Sequence, residues 1–571
     1  MSYLLGWARR RPLITGAAGA SSILAIAHRN DTESAAPRFL RTFYHVALVG
    51  IDYKLGPAAK MPHDSEERSA AMAATHQRAA DRLLHVCMLH GGLYVKFGQY
   101  VASLNNVLPP QFPATLAACQ DRAPTCSFDA VRRVVENELG CCLEQSFGSF
   151  DPVPVAAASL AQVHRATTLD GEPVACKVQY PQLRRQVESD LSTMWLLARL
   201  VGLTFAGHEY GWLVPEFEHT LRAELDFRRE AANAARTAAH FAREPRVHVP
   251  STLPALSGER VLTMEWIDGA RLDDSSGLAA RGIEPSELAP LTNAVFSRMI
   301  FEHGFVHCDP HLGNLLARRH PQSHTRRGLW RWLRPTPPSD AQLVLLDHGT
   351  YRELDCSFRR HYSELWVALL TRRHAEGRAA AAALGVPAEH YDTLALVLTF
   401  RPSASTRSLG DRLSKQERAA LRAKYGHVGM ADVSAFLERL PRDLLFVMRT
   451  WSLVRSLNRA LGGTTRQRLL IIAEHAAAAV YAPALSVETD WRHRTRVRIS
   501  ARWARLRMAV LVRWIEQLGR FWATLAPLRA QLRAATTRLI HPSVRAQSAS
   551  MATSEALVDT LESRVAPGSL G

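Results

Sequence analysis

Four residues stand out for phosphate or metal chemistry: Lys177 in "VACKVQY", Asp309 and Asn314 in "HCDPHLGN", and Asp347 in "LVLLDHG". An ammonium on a strand can reach two phosphates of a nucleotide when an acid on a nearby helix holds it. Candidate acids are Glu224, Asp226 and Glu230 in "ELDFRRE". Asp226 and Glu230 share a helical face at i, i+4, and Glu230 is the favoured partner. The His-x-Asp-x-x-x-x-Asn spacing lets the Asp309 carboxylate address an acceptor hydroxyl while the Asn314 amide oxygen binds Mg²⁺. Asp347, ending an apolar strand before a glycine, would hold Mg²⁺ against the phosphates. Taken singly, these are an edge charge, a polar turn and a common Asp-x-Gly turn.

Order gives them weight. A hairpin turned at Asp170-Gly171 leads to the strand lysine, then a helix acid. A hinge-like strand, "RVLTMEWIDG", precedes the His-x-Asp and Asp-x-Gly segments. This is the sequence of a kinase-like ATP site. After Asp347 the helical pattern "SFRRHYSELWVALL" begins within about ten residues, leaving no room for a peptide-binding activation segment.

The elements that must position these groups are strands in one region and helices on both sides, an α+β fold with a small sheet-bearing lobe and a larger helical lobe. The sequence divides into residues 1–30, a helical extension 31–148, a small lobe 149–269, a large lobe 270–482, a basic amphipathic tail 483–541 and a disordered end 542–571. In the extension, "HQRAADRLLHVCMLHGGLYVKFGQYVASLNN" reads as one helix ended by Pro109-Pro110.

The chain has 571 residues and a formal net charge of +17, concentrated toward the end: Asp490 to Arg545 holds thirteen arginines and two acids. Apolar residues there, from Ile499 to Leu525, keep helical spacing, so the segment could lie on an anionic membrane or pack on the large lobe. No nucleic-acid reader motif is present. Eight cysteines without a Cys-x-x-Cys pair point to a reducing compartment and no structural zinc. Residues 1–30 lack any acid and carry Arg9 to Arg11, reading as an organelle transit segment, with a signal anchor or secretory signal, or a plain helix, as alternatives.

Further motifs carry a resemblance. "KFGQ" (Lys96 to Gln99), the alanine-rich "AAASLAQVH", "ELD" (Glu224 to Asp226), "HCDPHLGN" and "DHG" stand in the order of the UbiB/AarF-domain family of atypical kinase-like proteins. The Asp-His-Gly form most resembles the AarF-domain-containing kinase 5 subgroup. The resemblance implies a two-lobed kinase-like fold binding ATP or ADP with Mg²⁺. Lys177 would pair with Glu230, Asp309 would be the catalytic-loop aspartate, and Asn314 and Asp347 would bind the metal. Ala156, Ala157, Ala158 and Ser159 would cover the phosphates, and Glu265 and Ile267 would line the nucleotide site. Lys96 and Gln99 would enter the cleft and meet Glu224 and Asp226.

Leu312 and Thr350 stand where proline and leucine are usual in that family, and "ARRHPQSHTRRGLWRWLRPTPPSDA" is an unusually long exposed insert. The family's link to ubiquinone metabolism implies a mitochondrial ATPase or kinase acting near lipid or a quinone-related molecule. A nucleotide-binding pseudokinase scaffold and a small-molecule phosphotransferase are the alternatives.

Overall fold

Alternation along one strand decides which way the key lysine points. In the small lobe, β1 (Ser149–Phe150), β3 (Ala161–Thr167), β4 (Pro173–Gln179) and β6 (Val261–Glu265) form an antiparallel sheet in that order, with β2 (Ala156–Ala157) paired to β3. The β3–β4 turn uses Gly171 at φ 84°, the left-handed region that glycine enters without a Cβ penalty. On β4, Val174, Cys176 and Val178 are buried against Val131, Val134 and Val135. Those three valines sit at i, i+3, i+4 on the helix Phe128–Leu139. Lys177 therefore faces the other side of the sheet, between Val163 and Leu262.

The computed structural model describes residues 34–399, less 63–64, 103–107, 121–124, 205–212 and 321–339, then 401–402, 439–480 and a few single positions between 417 and 510. The proposed transit segment, most of the 317–341 insert, the basic tail and the terminal stretch lie outside the described residues. Residues from Trp503 onward form a separate unit.

The extension is built from α1 (Ala35–Leu55), α2 (Glu66–His90) and α3 (Gly92–Ala102). The single helix expected across the last two is broken. Gly91 and Gly92 take φ 64° and 47°, and Gly91 N–H closes α2 on the Cys87 carbonyl. Taking the helix Phe128–Leu139 as α4, the chain continues through the small lobe into α5 (Leu183–Thr204), α6 (Leu213–Glu224) and α7 (Phe227–Phe241). Leu93, Tyr94 and Val101 of α3 share one core with Leu183, Val187, Leu191, Phe217 and Leu221. Arg38 on α1 gives Asp190 on α5 two hydrogen bonds, 3.0 and 2.5 Å, with both side chains 2 % exposed. Removing one partner of such a buried pair strands a charge and costs about 3–5 kcal/mol.

The helical pattern that carries "ELDFRRE" is interrupted between α6 and α7. Asp226 is the N-cap of α7, its carboxylate accepting from Arg228 N–H at 3.0 Å. It does not share a helical face with Glu230, because capping takes it out of the helix.

Strands are also not confined to the small lobe. β5 (Val247–His248), β10 (Ala341–Leu345), β9 (Leu315–Arg319) and β7 (Ala270–Arg271) form a second sheet in that order, and β8 (Phe305–His307) pairs with β11 (Tyr351–Glu353). Ala317 to Arg319, assigned above to the insert, belong to β9 and pair with β10. α8 (Pro285–Ser297) packs against β10; α10 (Arg442–Ala460) and α11 (Thr465–Ala479) pack on α8, and α9 (Cys356–Thr371) packs on α11. A buried hydrogen bond from Asn293 to Asn458, 2.7 Å, ties α8 to α10.

Candidate functional site

Lys177 donates to both oxygens of Glu230, at 2.7 and 2.9 Å, and lies 3.7 Å from Asp347 Oδ1. Glu230 sits in the first turn of α7, where the helix dipole favours a carboxylate. Phe227, one turn earlier, places its ring under the ammonium at 5.1 Å. Burial pulls Lys177 toward the neutral form, but Asp347 and Glu230 outweigh it and its pKa is raised. Burial pushes Glu230 up to about 7 against the pull of Lys177. Burial would raise Asp347 too. Lys177, the Gly349 N–H and Lys96 hold it well below the usual carboxylate range.

A second ion pair enters the same cleft from the extension. Lys96 Nζ lies 2.6 Å from Glu224 Oε2. Burial opposes its charge, and Glu224 followed by Asp309 and Asp347 restores it, so its pKa is raised. The other oxygen of Glu224 accepts from the Thr350 hydroxyl at 2.5 Å. Thr350, noted above as a departure from the family's usual leucine, thus joins the Asp-His-Gly turn through Glu224 to the extension's Lys96. Gln99 does not reach the acids: its amide donates to the Cys119 carbonyl at 2.9 Å. Of the four extension-motif residues, Lys96 and Glu224 meet; Gln99 and Asp226 serve a turn and a cap.

The His-x-Asp-x-x-x-x-Asn segment is held by short-range bonds. His307 accepts from Asp309 N–H at 3.1 Å, and burial lowers its pKa, keeping it neutral. Asn314 Nδ2 donates to the Asp309 carbonyl at 3.4 Å, which leaves the amide oxygen available. Leu346 N–H donates to the Asn314 carbonyl at 3.0 Å, coupling the two segments. In the Asp-His-Gly turn, Gly349 N–H donates to Asp347 Oδ1 at 2.9 Å. His348 is fixed between the Leu345 carbonyl and the Tyr351 hydroxyl, and burial lowers it to about 4. Asn233 of α7 donates to the His348 carbonyl at 2.9 Å, joining the lysine-pairing helix to this turn. The Asn314 amide oxygen and the Asp347 carboxylate, which is 40 % exposed, are hard oxygen donors suited to Mg²⁺.

The alanine-rich segment forms a tight turn. Ala156 and Ala157 pair with Val163 and Gln162, and Ala158 N–H closes the turn on the Ala161 carbonyl at 2.7 Å. That N–H, in the segment expected above to cover the phosphates, is spent internally, and Ser159 is buried. Tyr180 clamps the turn: its hydroxyl donates to the Ala158 carbonyl at 3.0 Å and its N–H to the Leu160 carbonyl at 3.1 Å. On the hinge-like strand, the Glu265 carboxylate turns to His248 at 2.9 Å, and Ile267 is buried. The side chain of Glu265 therefore braces the second sheet.

Comparison with known proteins agrees with this architecture. Residues 118–379 match the ABC1 atypical kinase-like domain. The AarF domain-containing protein kinase 1 of Mus musculus is 34% identical over 429 residues, covering 75% of this chain and 78% of its own. The chain belongs to the ABC1/AarF-domain family of atypical kinase-like proteins. Another member, "Probable serine/threonine-protein kinase abkD" of Dictyostelium discoideum, is 36% identical over 442 residues, 77% of this chain; the match spans 61% of that relative's length. Among solved structures, the Rv3197–erythromycin complex from Mycobacterium tuberculosis aligns with 69% of this chain and 95% of its own, at TM-score 0.43 and 21% identity. The resemblance to the kinase 5 subgroup rests on sequence motifs alone. In this AarF-domain chain, Lys177, Glu230 and Asp347 on one side of the cleft face Lys96 and Glu224 on the other.

Proposed function

We propose that this chain binds Mg²⁺-ATP and acts as an ATPase or atypical phosphotransferase on a small or lipid-like acceptor in mitochondria, not on peptides. The observation that carries it is the shared cleft in which Lys177, bidentate to Glu230, and Lys96, paired to Glu224, both act on Asp347. Lys177 would hold nucleotide phosphates, Asp309 would orient the acceptor hydroxyl, and Asn314 and Asp347 would carry the metal, which neutralises phosphate charge when bound. Two features argue against a peptide acceptor. α9 begins at Cys356, directly after β11, and the extension's Lys96 occupies the cleft beside Asp309. The ubiquinone-related setting and a lipid contact through residues 491–541 follow from the family resemblance and from the basic amphipathic pattern.

A second reading, a nucleotide-binding scaffold with little turnover, is favoured by the Ala158 N–H being spent within its own turn. One experiment separates them: ATP turnover of wild type and Asp347→Asn, with and without cardiolipin-containing vesicles. Turnover that falls at least about a hundredfold in Asp347→Asn supports catalysis. Nucleotide binding without turnover under every condition supports the scaffold. Full turnover in Asp347→Asn would remove the metal assignment.

A further inference from the structure

The middle of the Lys-Phe-Gly-Gln segment faces a pair of sulfurs. Cys87 lies in the last turn of α2, Cys119 lies in the 3-10 turn Ala117–Gln120, and α3 packs against both. A Cβ placed on Gly98 would stand 2.6 Å from Cys119 Sγ and 3.2 Å from Cys87 Sγ. Glycine at this position leaves room for two thiols meeting at one point. The thiols hydrogen-bond to each other, and both are shielded from solvent. Gln99, the next residue, fixes the Cys119 carbonyl. Neither thiol is in a disulfide.

We propose that Cys87 and Cys119 form a reversible disulfide that clamps α3 and holds Lys96 in the cleft. The hydrogen bond from Cys87 holds the Cys119 thiol below its ordinary pKa, making Cys119 the sulfur that reacts first. Burial of both sulfurs admits a small uncharged oxidant, hydrogen peroxide, and excludes glutathione disulfide. The Cys119 thiolate attacks one peroxide oxygen; the O–O bond breaks, hydroxide leaves and a sulfenic acid forms. The Cys87 sulfur then attacks Cys119 Sγ, and the S–O bond breaks as water leaves. Two thiols and one peroxide give one disulfide and two waters. A dithiol reverses the step by exchange.

The cross-link joins the last turn of α2 to the Ala117–Gln120 turn over Gly98 of α3, two residues beyond Lys96. Lys96 is already felt by Asp309 and Asp347. Holding its ammonium there opposes a divalent cation at the same carboxylates. This effect on turnover rests on the proposed function; the disulfide itself does not.

The test uses reduced full-length protein treated with hydrogen peroxide, quenched by alkylation and digested for peptide mapping. Oxidation of the exposed Cys142 and Cys356 serves as the control that oxidant was sufficient. A Cys87–Cys119 cross-linked peptide is expected in wild type and absent in Cys87→Ser and in Cys119→Ser. Oxidation of Cys142 and Cys356 without that peptide overturns the disulfide. In the same samples, the Mg²⁺ concentration for half-maximal ATP turnover should rise about fivefold on oxidation and return with dithiothreitol. Thermal-shift titration with Mg²⁺-ADP gives the same readout if turnover is undetectable. A cross-link that leaves both Mg²⁺ dependences unchanged overturns the clamp.

Discussion

Two lysine–glutamate pairs converge on one cleft with nearly equal lengths, 2.7 Å for Lys177–Glu230 and 2.6 Å for Lys96–Glu224, yet they are built differently. Lys177 rises from a strand, where alternation fixes its direction, and its partner opens a helix four residues after the N-cap. Lys96 rides on a helix from a separate set of elements, and its partner ends α6, steadied by Thr350. The first pair is a product of local geometry. The second exists only if the extension packs on α5 and α6, so it can be withdrawn without dismantling the small lobe. One pair is thus suited to constant service and the other to control.

The sharpest way to break this contrast is to remove one charge from each pair. Lys177→Met should lower kcat/KM by about a hundredfold or more, since the Glu230 pairing and the proposed phosphate contact would both be lost. Lys96→Met should act in the opposite sense on the metal: removing an ammonium from beside Asp309 and Asp347 should lower the half-saturating Mg²⁺ concentration by about fivefold. Equal losses from the two substitutions would erase the distinction.

Glu230→Gln sharpens it through pH. Glu230 has a pKa of about 7, so its carboxylate, and with it the full ion pair, is present above that value and lost below it. Wild-type kcat/KM should rise through an inflection near pH 7, and Glu230→Gln should lie about tenfold lower at pH 8 without that inflection. An unchanged profile in the variant would assign the inflection elsewhere.

Smaller changes test the steadying contacts. Thr350→Val removes one hydrogen bond to Glu224, worth about 1 kcal/mol, and should shift Mg²⁺ dependence in the Lys96→Met direction, by less. Thr350→Ser should restore it. Tyr180→Phe leaves both ion pairs intact and loosens only the alanine turn, so nucleotide Kd should change by no more than a few-fold, with Mg²⁺ dependence unaltered.

Much of the first region was legible and little of the second. The Lys177 strand, the Asp-Gly hairpin and the Asp347 strand declare themselves through alternation and turn residues. The favoured Glu230 lies where the lysine meets it. Asp226 was misread because an i, i+4 pattern runs through a helix boundary, and only its capping bond reveals that boundary. The Gly91-Gly92 break was written in the sequence as two adjacent glycines inside an otherwise unbroken apolar pattern. The second sheet escaped notice because β5 and β7 have only two residues each, too few for any period to show. Thr350 and Tyr180 act through contacts between elements distant in the chain, which composition and spacing do not encode.

The buried Arg38–Asp190 pair carries a consequence for how the chain is made. Its partners are 152 positions apart, so at roughly 5–20 residues per second the ribosome delivers Asp190 roughly 8–30 s after Arg38. Until α5 and α6 are made, α2 and α3 lack the helices on which their shared core closes. The extension therefore cannot finish folding until α5 and α6 have followed it, and until then its apolar faces depend on whatever holds them apart from neighbours.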